Sequence, residues 1–357
     1  MDSLPGEIMV NILSRLPIKP LLRCKSVCKS FLNITLDPYL IEAHLDRASS
    51  HDQNPSLILN TTVLNGTTHF RSQLYYTTLT PTQSNSPCDE VPFSPLNFGE
   101  FRVEGSCRGL LFLRHRTIDD FMFVINPCTG KRFEIPKLII ASCGVERGIA
   151  FGFSPKGNEY KVVKVIDGSA SYVFSLSEGV WREAVGGAPS FKISENFESD
   201  ECVCVNGVIH WSCYSPLNFI VCFDVGNEVF GMIPYPAGKL QLGEVTLVLF
   251  SGCIGFIEYD LNSEDDRVNI WVMEDYNVRE SWTRSVIINV NHIGWDWGRF
   301  EILCVRKNGE VLMLHRNQAL LVYDPKTMSC RKPNIVGLPS WFEAVCHVGS
   351  LVSPLGY

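Results

Sequence analysis

The chain has 357 residues, of which 45% are hydrophobic, and its formal net charge at pH 7 is -7. This length allows a small N-terminal unit plus one large domain, while the scattered Lys and Arg residues form no basic stripe and exclude nucleic acid as an expected partner. No stretch has membrane-spanning length and the first residues lack a signal-peptide pattern, so we expect no membrane partner and no secretion. The fourteen cysteines then indicate reduced thiols in the cytoplasm or the nucleus.

The first 45 residues have the pattern of several short helices. Pro5 favours a helix start because its φ is already helical, and Asp2 or Ser3 could cap that start. Apolar residues then recur at helical spacing and form a broad stripe: Ile8, Met9, Ile12, Leu13 and Leu16. Further helical pieces are predicted around Leu21, from about Val27 to Ile34, and from Asp37-Pro38 to about Arg47.

These helices carry more apolar surface than they can bury by themselves. A unit of this size buries little of its own surface, and each fully buried Leu or Ile side chain is worth roughly 1.5–3 kcal/mol. We therefore expect a partner surface to cover them. The alternative is that they form an ordinary helical cap on the domain that follows.

The same residues resemble the F-box motif over the whole helical segment. The matching runs are Leu4-Pro5-x-Glu7-Ile8, Ile12-Leu13-x-Arg15-Leu16-Pro17-x-Lys19, Leu21-Leu22-Arg23-x-Lys25-x-Val27-Cys28-Lys29 and Asp37-Pro38, with Phe31 where the family usually has Trp. The resemblance implies docking onto a Skp-type adaptor, which attaches the protein to a cullin in an SCF ubiquitin ligase. It also implies the adaptor contacts: Leu4, Pro5, Ile8, Leu13, Leu16, Pro17, Leu21, Leu22, Val27, Cys28 and Phe31.

From Ser56 onward, short β-branched and aromatic runs alternate with turn residues, which predicts strands. Six of these runs recur about 50 residues apart. They are 73–77, 121–125, 172–176, 220–224, 268–272 and 320–324. Around each run lie further strand-like segments and tight turns, such as the hairpin turn Asn206-Gly207.

Four strands per repeat at this period are typical of a β-propeller blade. The sequence therefore predicts a small all-α F-box helical unit at 1–45, a linker at 46–55 and an all-β six-bladed, kelch-like propeller at 56–357. The first repeat has only three strands before Phe101. We therefore expect the C-terminal strand near 342–346 to complete it and to protect its edge.

Residues 100–355 resemble a second family, the F-box-associated domain of plant F-box proteins. The resemblance rests on Gly105-Ser-Cys-Arg-Gly-Leu-Leu111, Asn126-Pro127, Tyr160-Lys-Val-Val163, Asn206-Gly207-x-x-His210-Trp211, Phe223-Asp224, Ile270-Trp-Val-Met273 and Ser281-Trp282. It implies a domain that binds the protein destined for ubiquitination. The favoured function is thus a non-catalytic substrate receptor of a ubiquitin ligase.

Two other functions stay open. One is an F-box scaffold that acts outside a ligase, and the other is a propeller lectin or enzyme with a small-molecule site in its channel. The sequence has no nucleophile-elbow or nucleotide-binding motif, and we expect no catalytic residue, no cofactor and no metal. A zinc site built from His210 and the nearby cysteines 202, 204, 213 and 222 would lack the usual C-x-x-C spacing, so buried thiols are the favoured interpretation.

The long connections between repeats are the predicted target-binding face, because binding residues concentrate on loops over a rigid scaffold. Large aromatic and acidic residues fall in or beside these connections: Trp295, Trp297, Trp341, Glu195, Glu198 and Asp200. Aromatic residues often anchor protein interfaces. The alternative for each Trp is that it fills the joint between neighbouring blades.

Overall fold

The computed structural model describes residues 5–50, 56–65, 69–79, 86–91, 99–140, 144–166, 170–187, 202–211, 219–236, 246–250, 252–260, 267–289, 300–306 and 308–355. A short N-terminal helical region of four helices is followed by a mostly-β region. The chain forms two compact units, which we describe separately. The first contains residues 1–137 and 334–357, and the second contains residues 138–333.

The helices of the first unit are α1 (Gly6–Leu13), α2 (Ile18–Cys24), α3 (Lys29–Ile34) and α4 (Pro38–Ser50). Helix α1 begins after Pro5, as predicted, but it ends at Leu13 and not at Pro17. Three residues of turn follow it, and their backbone N–H groups still bond to the last turn of the helix. Helix α4 extends to Ser50, so residues 46–50 are helical and not the start of the predicted linker. Arg47 in this segment donates to the backbone oxygen of Asn11 on α1.

Most strands of the first unit belong to two four-stranded antiparallel sheets. One has the order β26-β1-β2-β4 and the other the order β5-β6-β7-β8. Their strands are β1 (Ser56–Asn65), β2 (His69–Thr78), β4 (Asp89–Glu90), β26 (Glu343–His347), β5 (Phe101–Cys107), β6 (Leu110–His115), β7 (Met122–Ile125) and β8 (Arg132–Ile135). A parallel pair, β3 (Ser86–Pro87) with β25 (Ile335–Val336), joins the segment before β4 to the segment before β26.

The second unit contains two more four-stranded sheets and one eight-stranded sheet. The four-stranded sheets are built from β9 (Glu146–Ser154), β10 (Glu159–Ile166), β11 (Ala170–Ser175), β12 (Val180–Glu183), and from β13 (Cys202–Val205), β14 (Val208–Trp211), β15 (Phe219–Asp224), β16 (Val229–Pro234). The eight-stranded sheet contains β17 (Thr246–Phe250), β18 (Cys253–Asp260), β19 (Arg267–Met273), β20 (Trp282–Asn289), β21 (Phe300–Val305), β22 (Val311–His315), β23 (Ala319–Asp324) and β24 (Ser329–Arg331). Its two antiparallel halves meet at one parallel pair, Phe250 with Val305.

The predicted repeat is confirmed at the level of strands. The six aligned runs coincide with β2, β7, β11, β15, β19 and β23, each of which is the third strand of a four-stranded antiparallel group. The turn between β13 and β14 has positive φ at both Asn206 and Gly207, which a tight hairpin turn of this kind requires.

Apolar side chains of successive sheets in the second unit pack against each other. Val163 of β10 and Trp211 and Phe223 of the next sheet share one buried cluster. The opposite face of that sheet contributes Ile220 to a second cluster with Phe256 of β18. The β13–β16 sheet therefore buries both faces, as a blade between two neighbours does.

A buried ionic network joins the first two sheets of the second unit. The Glu228 side chain accepts hydrogen bonds from both Arg182 amino groups, at 2.5 and 2.6 Å, and from Lys161 Nζ at 2.9 Å. The backbone N–H of Val185 also donates to this carboxylate, and Lys161 contacts Glu159 at 2.9 Å. Glu228 and Lys161 are almost fully buried, so each charge depends on the others for compensation.

We expect the substitution Glu228→Gln to reduce the free energy of unfolding by about 3 kcal/mol, because it leaves buried positive charge uncompensated. The matched control is Glu178→Gln, which removes a partially exposed carboxylate 3.4 Å from the same Arg182 and should change stability by less than about 0.5 kcal/mol. Urea denaturation measures both variants. Equal effects of the two variants would contradict a stabilising role for the buried network.

The same network predicts how stability depends on pH. Burial alone would raise the pKa of Glu228, but hydrogen bonds from Arg182, Lys161 and Val185 outweigh it and lower the pKa to about 2. Because the folded-state pKa lies below the unfolded value of about 4.3, this stabilisation is present above that value and is lost as the pH falls toward 2. The loss of stability over this range should be smaller in Glu228→Gln.

Candidate docking site on the N-terminal helices

Helix α4 holds the other helices together. Leu40 and Leu45 of α4 are fully buried, as is Leu21 of α2. Arg47 donates through Nη1 to the backbone oxygen of Asn11 at 3.2 Å and to the hydroxyl of Ser14. His44 donates through Nε2 to the backbone oxygen of Leu16 at 3.0 Å. These bonds fix the connection between α1 and α2, so the outward side chains of both helices are presented from a packed base.

An exposed apolar set projects from these helices. Ile8 and Ile12, one turn apart on α1, are 45% and 49% exposed, and Val27 is 67% exposed. The other members lie on or beside α3 and at the start of α4: Leu32, Leu36 and Tyr39. Large apolar side chains concentrated in one short segment are typical of a protein-binding surface.

The structure sorts the predicted adaptor contacts by accessibility. Pro5, Ile8, Pro17, Val27 and Cys28 are exposed, whereas Leu16, Leu22 and Phe31 are half-buried. Leu13 and Leu21 are buried and stabilise the helical unit itself. Leu4 lies outside the described residues.

Sequence reasoning did not select four members of the exposed apolar set as contacts, namely Ile12, Leu32, Leu36 and Tyr39. For Ile12 a signal existed, because it lies four residues after Ile8 and therefore on the same helix face. Leu32, Leu36 and Tyr39 carried no comparable signal, since the matched motif runs do not include them.

Of the predicted target-binding residues, only Trp341 lies in the described part of the chain. Its side chain is 41% exposed, and its backbone oxygen accepts a hydrogen bond from the Thr61 hydroxyl at 2.5 Å. Trp295, Trp297, Glu195, Glu198 and Asp200 are outside the described residues. The target-binding face therefore stays a prediction.

His210, which was considered as a zinc ligand, forms two hydrogen bonds within the protein. His210 Nδ1 donates to the backbone oxygen of Val203 at 3.1 Å, and Nε2 accepts from the Tyr276 hydroxyl at 2.9 Å. Burial lowers the pKa of His210 to about 4, so the ring is neutral at pH 7 and fits these two bonds. Both ring nitrogens are engaged within the protein, which favours a structural role. Within the described ranges, no three His, Cys, Asp or Glu side chains are grouped as metal ligands.

The helical region and the β region each match a known protein family. A family model described as the F-box associated beta propeller domain matches residues 64–352, and a model described as F-box-like matches residues 1–44. The chain belongs to the family of F-box proteins with an F-box-associated β-propeller domain. Members of this family are generally substrate adaptors and not enzymes, and the F-box domain generally binds Skp1-type adaptors.

The relatives of this F-box protein are plant proteins. F-box protein At3g07870 of Arabidopsis thaliana is 28% identical over 400 residues, which cover 98% of this chain and 92% of that protein. F-box protein CPR1 of Arabidopsis thaliana is 25% identical over 386 residues, which cover 99% of this chain and 89% of that protein. Among solved structures, YCF48 from Cyanidioschyzon merolae aligns with a TM-score of 0.41 and 10% identity over 82% of this chain and 96% of that chain. The family matches and the two Arabidopsis relatives make the chain a plant-type F-box protein.

Its helices are short. In the described part of the F-box protein, none has the length and apolar character that a membrane crossing requires.

Proposed function

We propose that this F-box protein is the substrate-recognition subunit of an SCF-type E3 ubiquitin ligase. Its helices bind a Skp-type adaptor and through it a cullin, and its β domain binds the target protein. The protein contributes proximity, because it raises the local concentration of target lysines near the ubiquitin-carrying enzyme. The observation that carries this proposal is the exposed apolar set on helices that match the F-box family.

The adaptor contacts are the accessible members of the predicted set. Pro5, Ile8, Pro17, Val27 and Cys28 provide the outer contact surface, and Ile12 extends it along α1. Leu16, Leu22 and Phe31 line its half-buried edge. Leu13 and Leu21 act through the helices that they hold together.

The β domain is a six-bladed propeller in this proposal. Six four-stranded antiparallel groups support it: β26-β1-β2-β4, β5–β8, β9–β12, β13–β16, β17–β20 and β21–β24. The target binds on the face that carries the long connections, with Trp341 and the predicted residues of neighbouring connections as anchors. The protein acts in the cytoplasm, the nucleus or both, where its cysteines stay reduced.

Proximity labelling in plant cells tests this function. The full-length chain is fused to a labelling enzyme. The proteins that it labels are compared in three samples: wild type without proteasome inhibitor, wild type with inhibitor, and the double variant Ile8→Asp/Val27→Asp without inhibitor. Targets of the wild-type protein should be enriched only when the proteasome is inhibited. The double variant should retain the same targets without inhibition, because it binds them but cannot deliver them. Identical labelling under all three conditions would instead indicate a scaffold that acts outside a ligase.

A further inference from the structure

A cavity of about 880 Å³ lies inside the first unit, between the F-box helices and a β-sheet. One wall is formed by the α1–α2 connection, the start of α2 and the last turns of α4. The other wall is formed by Ser56 of β1, Tyr76 and Thr78 of β2, and residues 347–349, which end and follow β26. The volume is within the range of small-molecule sites, which is about 300–1,000 Å³.

The walls are packed against each other closely enough to define a fixed shape. A Cβ atom added to Gly349 would lie 2.8 Å from Ile18 Cγ2 and 2.9 Å from the Tyr76 hydroxyl, so only glycine allows this approach. Lys19 Nζ lies 5.2 Å from the centroid of the Tyr76 ring and forms an ion pair with Asp89. The cavity is therefore a built feature of the junction between the helices and the sheet.

The cavity lining has one sign of charge. Among the described residues, its charged members are Arg15, Lys19 and Arg47, of which Lys19 is paired with Asp89, and none is Asp or Glu. The chain as a whole has a net charge of -7, so a wall without a carboxylate departs from the average surface. Between the cations lie apolar groups, including Leu16, Ile18 and Ala48. Such a lining complements a ligand with an apolar body and an anionic group.

Two histidines of the lining are neutral and buried. Burial lowers the pKa of His44, and it lowers the pKa of His347 to about 3. His44 Nδ1 and His347 Nε2 have no hydrogen-bond partner among the described residues. An unmade hydrogen bond of a buried group costs about 1–3 kcal/mol. These two nitrogens are themselves inaccessible, so they do not form part of the cavity surface.

We propose that this cavity binds a small organic anion, whose apolar body lies against Leu16 and Ile18 and whose acidic group lies near Arg15 and Arg47. The cavity borders the adaptor contacts proposed above, because Leu16 and Pro17 belong to both. Because its two walls belong to the F-box helices and to the sheet, a bound ligand stabilises the junction between them.

The test uses 8-anilinonaphthalene-1-sulfonate as an organic anion and N-phenyl-1-naphthylamine, the same ring system without the sulfonate, as its neutral match. Fluorescence titration of the purified full-length chain should show one saturable site for the sulfonate. Arg15→Gln should weaken sulfonate binding about tenfold and leave binding of the neutral compound unchanged. Arg15 is exposed and donates to the Asn11 side chain, so this change should leave the fold intact. The control Arg23→Gln, on α2 outside the cavity, should change neither titration.

A second pair of variants tests the location. Ala48→Trp fills the cavity from α4 and should abolish saturable binding, whereas Ser49→Trp, at the exposed neighbouring position, should not. Loss of the signal in Ile8→Asp/Val27→Asp would place the probe on the exposed apolar set and overturn the proposal. Equal binding by Arg15→Gln, Ala48→Trp and wild type would refute it directly.

Discussion

The double substitution Ile8→Asp/Val27→Asp is expected to weaken binding to a Skp-type adaptor about 1,000-fold while the chain stays folded. Ile8 is 45% exposed and Val27 is 67% exposed, so the free chain loses little packing. In the complex, the change removes two apolar anchors, each worth about 2 kcal/mol, and about 4 kcal/mol corresponds to a 1,000-fold change in Kd. It also places carboxylates where the adaptor would desolvate them.

Calorimetric titration of the full-length chain with purified adaptor measures this effect. The matched control is Ile118→Asp/Ile139→Asp, which changes two exposed isoleucines outside the helices and should leave the Kd within about twofold. Leu13→Asp is not a suitable test, because Leu13 is only 4% exposed and a charge there would unfold the helical unit. Unchanged affinity in the Ile8/Val27 variant would show that the adaptor does not bind the exposed apolar set.

Deletion of residues 342–357 is expected to lower the Tm by at least about 10 °C. Strand β26 pairs with β1 over five residues, from Asn60 with Glu343 to Ser56 with His347. The deleted segment also contains three large apolar side chains that are buried, Phe342, Leu351 and Val352, each worth roughly 1.5–3 kcal/mol. Its loss exposes both the sheet edge and the apolar surface that these side chains cover.

The C-terminal segment is further fixed by Asn126. The amide of this side chain donates to the backbone oxygens of Ser350, at 3.0 Å, and Val352, at 2.7 Å.

Because Phe342 is fully buried, Phe342→Ala should reproduce part of the effect of the deletion, with a loss of about 3–5 kcal/mol in the free energy of unfolding. Leu355→Ala, at an exposed position, should have almost no effect. An unchanged Tm in the deletion variant would mean that the pairing of β26 with β1 does not stabilise the domain.

The strand pattern was predictable because it depends on local chemistry. The Asn206-Gly207 turn and the β-branched runs specify hairpins wherever they occur, and their period of about 50 residues identifies the repeat. The burial of individual helix residues was less predictable. Ile12 and Leu13 are adjacent members of one apolar stripe, yet Ile12 is exposed and Leu13 is buried. The periodicity shows that a helix face is apolar, but it does not show whether α4 or another protein covers it.

Features that combine distant parts of the chain left no local signal. The Glu228 network depends on Lys161 and Arg182, which lie on other strands, and the charged turn before β16 resembles any solvated turn. The cavity lining likewise combines Arg15, His44, Tyr76 and His347. Only the packing of α2 and α4 on the sheet brings these side chains together, so sequence spacing could not indicate them.

The central claim is that this F-box protein works as a subunit of a cullin-based ubiquitin ligase. Affinity purification of the tagged full-length chain from plant cells, followed by quantification of adaptor and cullin, tests it most directly. The wild-type chain should recover both proteins together, and Ile8→Asp/Val27→Asp should recover neither. Recovery of adaptor without cullin, or equal recovery by both forms of the chain, would contradict the proposed function.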